Sequence, residues 1–115
     1  RSTDITFAGC AIHDESENGQ PGLNALLELA DCERINVTGS QFLNGLTGVD
    51  AINCAQVVLT GNTICDSREK PIAKHAVRFS GKDENHLVAN NVIGKTSGKP
   101  IVGAVQTSGN VVSGQ

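Results

Sequence analysis

Apolar and polar residues alternate along this chain in short runs, and each run is broken at an equivalent point. In "VVLTGNTICDS" (57–67), three apolar residues meet Thr-Gly-Asn, and a second apolar pair resumes after a single residue. A hairpin turn would need a matching strand on each side of the Gly-Asn pair, yet only Ile64 and Cys65 follow before a charged run. The same break recurs in "ITFAGCAI" (5–12), "INVTGSQF" (35–42), "HLVANNVI" (86–93) and "VQTSGNVV" (105–112). In register, Gly9, Gly39, Gly61, Asn90 and Gly109 share one position, and Cys10, Ser40, Asn62, Asn91 and Asn110 share the next. Ile12, Phe42, Ile64, Ile93 and Val112 stand three residues after the first of these. The copies lie 30, 22, 29 and 19 residues apart, a spacing that signals stacked supersecondary units.

Each unit can be written as a coil of short strands. A first strand ("LLEL", "VDAI" or "AVRF") leads through a turn to a second ("INV", "VVL" or "HLV"). The Gly-Asn corner follows, then a third strand such as "SQF" or "TIC", then a loop of variable length. Only "LNALLELADCER" invites a helical reading; Leu27 and Leu29 alternate there, and its equivalents "GVDAINC" and "HAVRFSG" are β-like, so it is predicted as strand. Strands this short are stable only when parallel stacking shares hydrogen bonds between rungs ~4.8 Å apart and buries one inner column. The predicted inward set is Ile5, Phe7, Ile12, Leu27, Leu29, Ile35, Val37, Phe42, Val49, Val57, Leu59, Ile64, Val77, Phe79, Val88, Ile93 and Val112. Asn suits the corner because it tolerates left-handed backbone, and stacked Asn side chains can hydrogen-bond along the column.

With its corners "VTGS", "LTGN", "VANN" and "TSGN" flanked by alternating aliphatics, the chain resembles the right-handed parallel β-helix of the pectate-lyase-like superfamily. The resemblance covers nearly the whole length. It implies an all-β fold, a right-handed parallel β-helix (solenoid) of about five coils with Gly-Asn corners, as one domain over 1–115. A leucine-rich repeat would show Leu at fixed offsets and a helical return segment, and a β-sandwich would not repeat the corner. Enzymes of the superfamily are longer, so the chain is expected to be a segment of a longer β-helix.

Composition narrows the picture in three ways. The net charge is −3 with no basic block, which argues against nucleic acid as a partner. No stretch of 18 apolar residues occurs, so no membrane-spanning helix is expected. The four cysteines are expected as small buried hydrophobes kept as thiols: Cys32 and Cys54 occupy equivalent positions, Cys10 sits in the Asn-ladder column and Cys65 ends a strand. Stacking brings Cys32 and Cys54 within disulfide range by Cα distance but rarely supplies the dihedral; one disulfide and a metal site remain the alternatives. Free thiols suit assembly in a reducing cytoplasm. Together with the resemblance to tailspike-like proteins, they imply a final place outside the cell or on a virion surface.

Candidate chemistry lies on the first-strand sheet. If the flanking aliphatics point inward, Glu28, Asp50 and Arg78 point outward in one vertical file. Two carboxylates about 5 Å apart can split into an acid and a base, roughly the arrangement of retaining glycosidases. The resemblance places its usual catalytic groove on this same face, and implies the alternative in which the acids bind Ca²⁺ while Arg78 acts on a sugar acid; no other cofactor and no dedicated metal site are expected. The plainer reading is a solvated charge ladder in which Arg78 offsets the acids. Long loops at 13–24, 66–75 and 94–100 leave the same corner, while the second coil has only "NGLTG", so a notch is expected beside Glu28 and Asp50. Asp14, Asp66 and His75 at the loop bases are the substrate-binding candidates.

There is no Trp or Tyr, and Phe7, Phe42 and Phe79 all fall inward, so any glycan would be held by charged and amide groups. Two functions follow. One is a β-helix module of a tailspike-like or lyase-like protein that binds or degrades surface polysaccharide, as a polysaccharide lyase or glycoside hydrolase if catalytic. The other is a non-catalytic shaft or adhesin segment. Open ends predict a homo-oligomer, and the resemblance to viral spikes implies a trimer.

Overall fold

The computed structural model describes residues 2–14, 24–82 and 84–113. The chain passes through three parallel sheets in turn and repeats the circuit. The first circuit supplies β1 (Ser2–Ala8), β2 (Ala11–His13) and β3 (Ala25–Ala30), and the second β4 (Cys32–Thr38), β5 (Gln41–Leu43) and β6 (Thr47–Ile52). The third supplies β7 (Ala55–Thr60), β8 (Thr63–Cys65) and β9 (His75–Ser80). The fourth supplies β10 (His86–Ala89), β11 (Val92–Ile93) and β12 (Ile101–Val102), and β13 (Val105–Ser108) and β14 (Val111–Val112) close the described chain. Sheet A runs β1-β4-β7-β10-β13, sheet B runs β14-β11-β8-β5-β2, and sheet C runs β12-β9-β6-β3. No helix occurs among the described residues, and "LNALLELADCER" forms β3 and the start of β4 as its alternation predicts.

Each strand lies beside its own equivalent from the neighbouring circuit, so inward side chains stack on their like. Phe7, Val37, Leu59 and Val88 form one column, and Ile12, Phe42, Ile64, Ile93 and Val112 another. In sheet C, Leu27, Val49, Val77 and Ile101 align, with Leu29, Ala51 and Phe79 beside them. The small Ala51 makes room between two large neighbours. All the predicted inward residues belong to this core or pack against it, with Phe42 1% exposed and Val49 and Val77 fully buried. Polar residues also enter the buried columns, Thr47 in sheet C and His86 in sheet A. His86 follows Val57 in sheet A, stacks on Phe79 at a centroid distance of 4.1 Å, and accepts the Val57 N–H through Nδ1 at 3.2 Å.

Corners, rather than hairpins, turn the chain between sheets. Gly9, Gly39, Gly61, Asn90 and Gly109 all have φ between 57° and 68°, the left-handed region that Gly and Asn enter most readily. The next residue in each circuit builds a hydrogen-bond ladder. The Cys10 N–H donates to Ser40 Oγ (3.1 Å), the Ser40 N–H to Asn62 Oδ1 (2.9 Å), the Asn62 N–H to Asn91 Oδ1 (2.9 Å) and the Asn91 N–H to Asn110 Oδ1 (3.0 Å). The amide Nδ2 of Asn62 donates to the Val37 carbonyl, and that of Asn91 to the Leu59 carbonyl. Each buried amide is therefore satisfied on both sides, which offsets the cost of burying it.

Two more left-handed columns accompany this one. Asp31 and Asn53, with Gly81 above them, turn sheet C into sheet A at φ of 55°, 56° and 77°. Asp4, Arg34, Gln56 and Asn85 kink sheet A itself at φ of 59°, 53°, 57° and 57°. Arg and Gln are costly choices for that conformation, so the position is imposed by the stacking of neighbouring circuits rather than by local preference.

Candidate functional site

Sheet C presents the expected vertical file. Glu28 pairs in register with Asp50, and Asp50 with Arg78; Val102 continues the file. The inward anchors on either side, Val49 with Ala51 and Val77 with Phe79, are all buried and leave Asp50 and Arg78 on the opposite side of the sheet. The two form a forked ion pair. Arg78 Nε donates to Asp50 Oδ1 at 3.1 Å and Nη2 to Oδ2 at 2.7 Å, with the Asp50 side chain 10% exposed and the Arg78 side chain 44% exposed. The Asp50 hydrogen bonds and charge raise the Arg78 pKa. This two-point geometry fixes the guanidinium plane and leaves its outer edge open to solvent.

That pairing changes what the file can do. Both oxygens of Asp50 accept from Arg78, so Asp50 stands as the fixed partner of a cation while exposed Glu28 lies one rung away. The face offers a hydrogen-bond donor at Arg78 and an acceptor at Glu28. Among the described residues no three His, Cys, Asp or Glu side chains converge to hold a metal ion.

The loops join sheet B to sheet C, as their common corner predicts. The connection after β5 is only 44–46, whereas those after β8 and β11 span 66–74 and 94–100. The other wall expected for the notch, 15–23, lies outside the described residues. Neighbouring loops are stitched together. The Asn44 side chain accepts from the Ser67 N–H at 2.9 Å, the Ser97 N–H donates to the Ala73 carbonyl at 2.9 Å, and the Gly98 N–H to that of Lys74 at 3.0 Å.

The three residues expected at the loop bases have different fates. Asp66, anticipated as a substrate contact, has a side chain with no exposed surface. Its oxygens accept from Arg68 Nε and Nη2 at 2.8 Å each and from the N–H groups of Arg68, Ile72 and Ala73. Burial pushes the Asp66 carboxyl up, but the Arg68 and backbone donors outweigh it and hold the pKa at about 2. A carboxylate encircled by its own loop's donors organises that loop. His75 starts β9 and donates Nδ1–H to the Lys99 carbonyl at 2.6 Å, tying the two long loops together. Asp14 follows β2; its N–H donates to the Leu43 carbonyl, and its charge lies close enough to Arg68 to help raise the latter's pKa.

Two features escaped sequence reasoning. Lys70, Lys74, Lys95 and Lys99 are exposed on the two loops that lead into β9 and β12, although no basic block exists in the linear chain. The signal was the common corner from which both loops depart. On the outer side of sheet A, Asp4, Thr6, Arg34, Asn36, Gln56 and Val58 line a shallow trough of about 490 Å³ beside the kink column. Its Arg34–Asp4 pair is largely exposed and contributes little to stability. Comparison with protein-family models, with characterised proteins and with solved structures finds no match for this chain.

Proposed function

We propose that this chain is a right-handed parallel β-helix module that presents the outer face of sheet C to a surface polysaccharide, in a tailspike-like or polysaccharide-lyase-like protein. The observation that carries the reading is the Glu28–Asp50–Arg78 file with its forked Asp50–Arg78 pair, bordered by loops that carry Lys70, Lys74, Lys95 and Lys99. A guanidinium held by a carboxylate, on a sheet entered by lysine-bearing loops, favours a glycan bearing carboxylate or sulfate groups. In a lyase or hydrolase reading, Glu28 is the proton-transfer candidate and Arg78 the charge stabiliser, with Asp50 orienting Arg78. The absence of Trp and Tyr makes affinity depend on these polar contacts. Copies associate through their open ends or faces, as a trimer by resemblance to spikes, outside the cell or on a virion.

The second reading is a non-catalytic shaft. It is favoured by the same ion pair, since Asp50 and Arg78 satisfy each other, and by the continuous asparagine ladder. Titration calorimetry with uronate-containing and neutral oligosaccharides separates the two. Binding of the acidic series, lost in Arg78→Ala and retained in Arg34→Ala, supports the polysaccharide module. No heat with either series, and no unsaturated or reducing-end product from acidic polysaccharide, would leave the shaft.

A further inference from the structure

Cys32 and Cys54 stand 22 positions apart and occupy the same place in successive circuits. Their following residues, Glu33 and Ala55, are register partners in sheet A, which sets the two Cα atoms about one rung, ~4.8 Å, apart. Disulfides span Cα distances of roughly 4.4–6.8 Å. Both residues are at a corner, where Asp31 and Asn53 immediately before them are left-handed, so neither Cβ is held in the flat pleat of a strand interior. Each thiol donates to the carbonyl two residues earlier, Cys32 to Ala30 at 3.2 Å and Cys54 to Ile52 at 3.4 Å. Cys54 Sγ also approaches the Leu29 carbonyl at 3.6 Å, so it leans toward the rung that carries Cys32. Burial raises the Cys54 thiol pKa; the Cys32 backbone pulls it down, and the Cys32 thiol beside it pushes it up.

The other thiols are placed differently. The register neighbour of Cys10 is Ser40, through the ladder, and those of Cys65 are Leu43 and Gly94. All four cysteines are free thiols in this structure. Cys32 and Cys54 are buried, at 6% and 1% exposure, so a reagent reaches the pair through local opening of this corner. Cys54 lines an open polar trough of about 470 Å³ with Asp31, Asn53, Ala55, Lys82 and Glu84.

We propose that Cys32 and Cys54 form a cross-circuit disulfide on exposure to a small-molecule disulfide, a modification site that staples the first circuits together. The Cys54 thiolate attacks one sulfur of the external disulfide and expels a thiolate. The Cys32 thiolate then attacks the Cys54 sulfur of the mixed disulfide and expels the second. The protons of both cysteines end on the two released thiols; the cysteine pair is oxidised and the external disulfide reduced. Closing a loop through the sheet restricts the unfolded chain more than the folded one.

The test uses the folded 115-residue chain with neutral hydroxyethyl disulfide, followed by alkylation in denaturant and mass spectrometry. The expected product has lost two hydrogens, carries two alkyl groups, on Cys10 and Cys65, and yields a single Cys32–Cys54 linked peptide. Its thermal midpoint should rise by roughly 10 °C and return on reduction. Cys32→Ser should stop at the mixed disulfide on Cys54. Four alkylated thiols after oxidation, a linkage through Cys10 or Cys65, or a wild-type chain that keeps the mixed disulfide on Cys54 would each overturn the proposal.

Discussion

At the residue scale, stability concentrates in buried side chains whose partners come from other circuits. Phe42 fills the sheet B column at 1% exposure, and truncation leaves a cavity that neighbouring Ile12 and Ile64 are too short to fill. Phe42→Ala should cost ~3–5 kcal/mol, read from the urea midpoint. Asp66 is a polar counterpart. Its folded pKa of about 2 lies below the ordinary aspartate value of 3.8, so its stabilisation is full above the unfolded value and is lost as pH falls from about 4 to 2. The contribution is about 2 kcal/mol. Asp66→Asn should flatten that acid limb in a pH series of thermal melts; an unchanged limb would place the acid sensitivity elsewhere. Both residues were noticed in the sequence, Phe42 with its role and Asp66 with a different one. Apolar periodicity reports burial directly, whereas the donors around Asp66 come from backbone groups up to seven residues away and carry no sequence mark.

At the element scale, the corner and its ladder determine how circuits are stacked. Asn62 accepts the Ser40 N–H and donates to the Val37 carbonyl, and both lie in buried surroundings. Asn62→Ala should leave two buried groups unpaired at about 1–3 kcal/mol each, and slow amide exchange at Ser40 should be lost first in hydrogen-exchange measurements. Gly48, second in β6, acts through packing: a Cβ there would lie 2.5 Å from Ile64 Cγ2 and 2.7 Å from the Ala76 carbonyl. Gly48→Ala should therefore destabilise by about 1–3 kcal/mol, through overpacking between sheets B and C. The Gly-Asn column was legible because Gly and Asn announce left-handed backbone. The kink column was not, because Arg34 and Gln56 give no such signal.

At the scale of the whole molecule, each sheet is open at both described edges, since β1, β2 and β3 and β12, β13 and β14 each pair on one side only. Ile5, Phe7 and Ile12 at one end, and Ile101, Val105 and Val112 at the other, are only partly buried against the core. Unpaired parallel edges with half-covered apolar columns recruit further strands. The 115-residue polypeptide should associate at micromolar concentration in sedimentation equilibrium, and a clean 11.9 kDa species would show that the edges are self-protected.

The repeat period, the inward columns, the strand nature of residues 25–30 and the Gly-Asn corners were all determined by the sequence, because each rests on local preference or on periodicity of two. So was the alignment of Glu28, Asp50 and Arg78, which follows once the repeats are in register. Only the tertiary structure decided that Asp50 belongs to Arg78, that Asp66 is enclosed by its own loop, that His86 joins an apolar column, and that four scattered lysines lie on neighbouring loops. Each of these depends on which side chains of separate circuits, or which donors of a folded loop, come within hydrogen-bond reach. That distance is set by three-dimensional stacking and loop path, and no linear pattern encodes it.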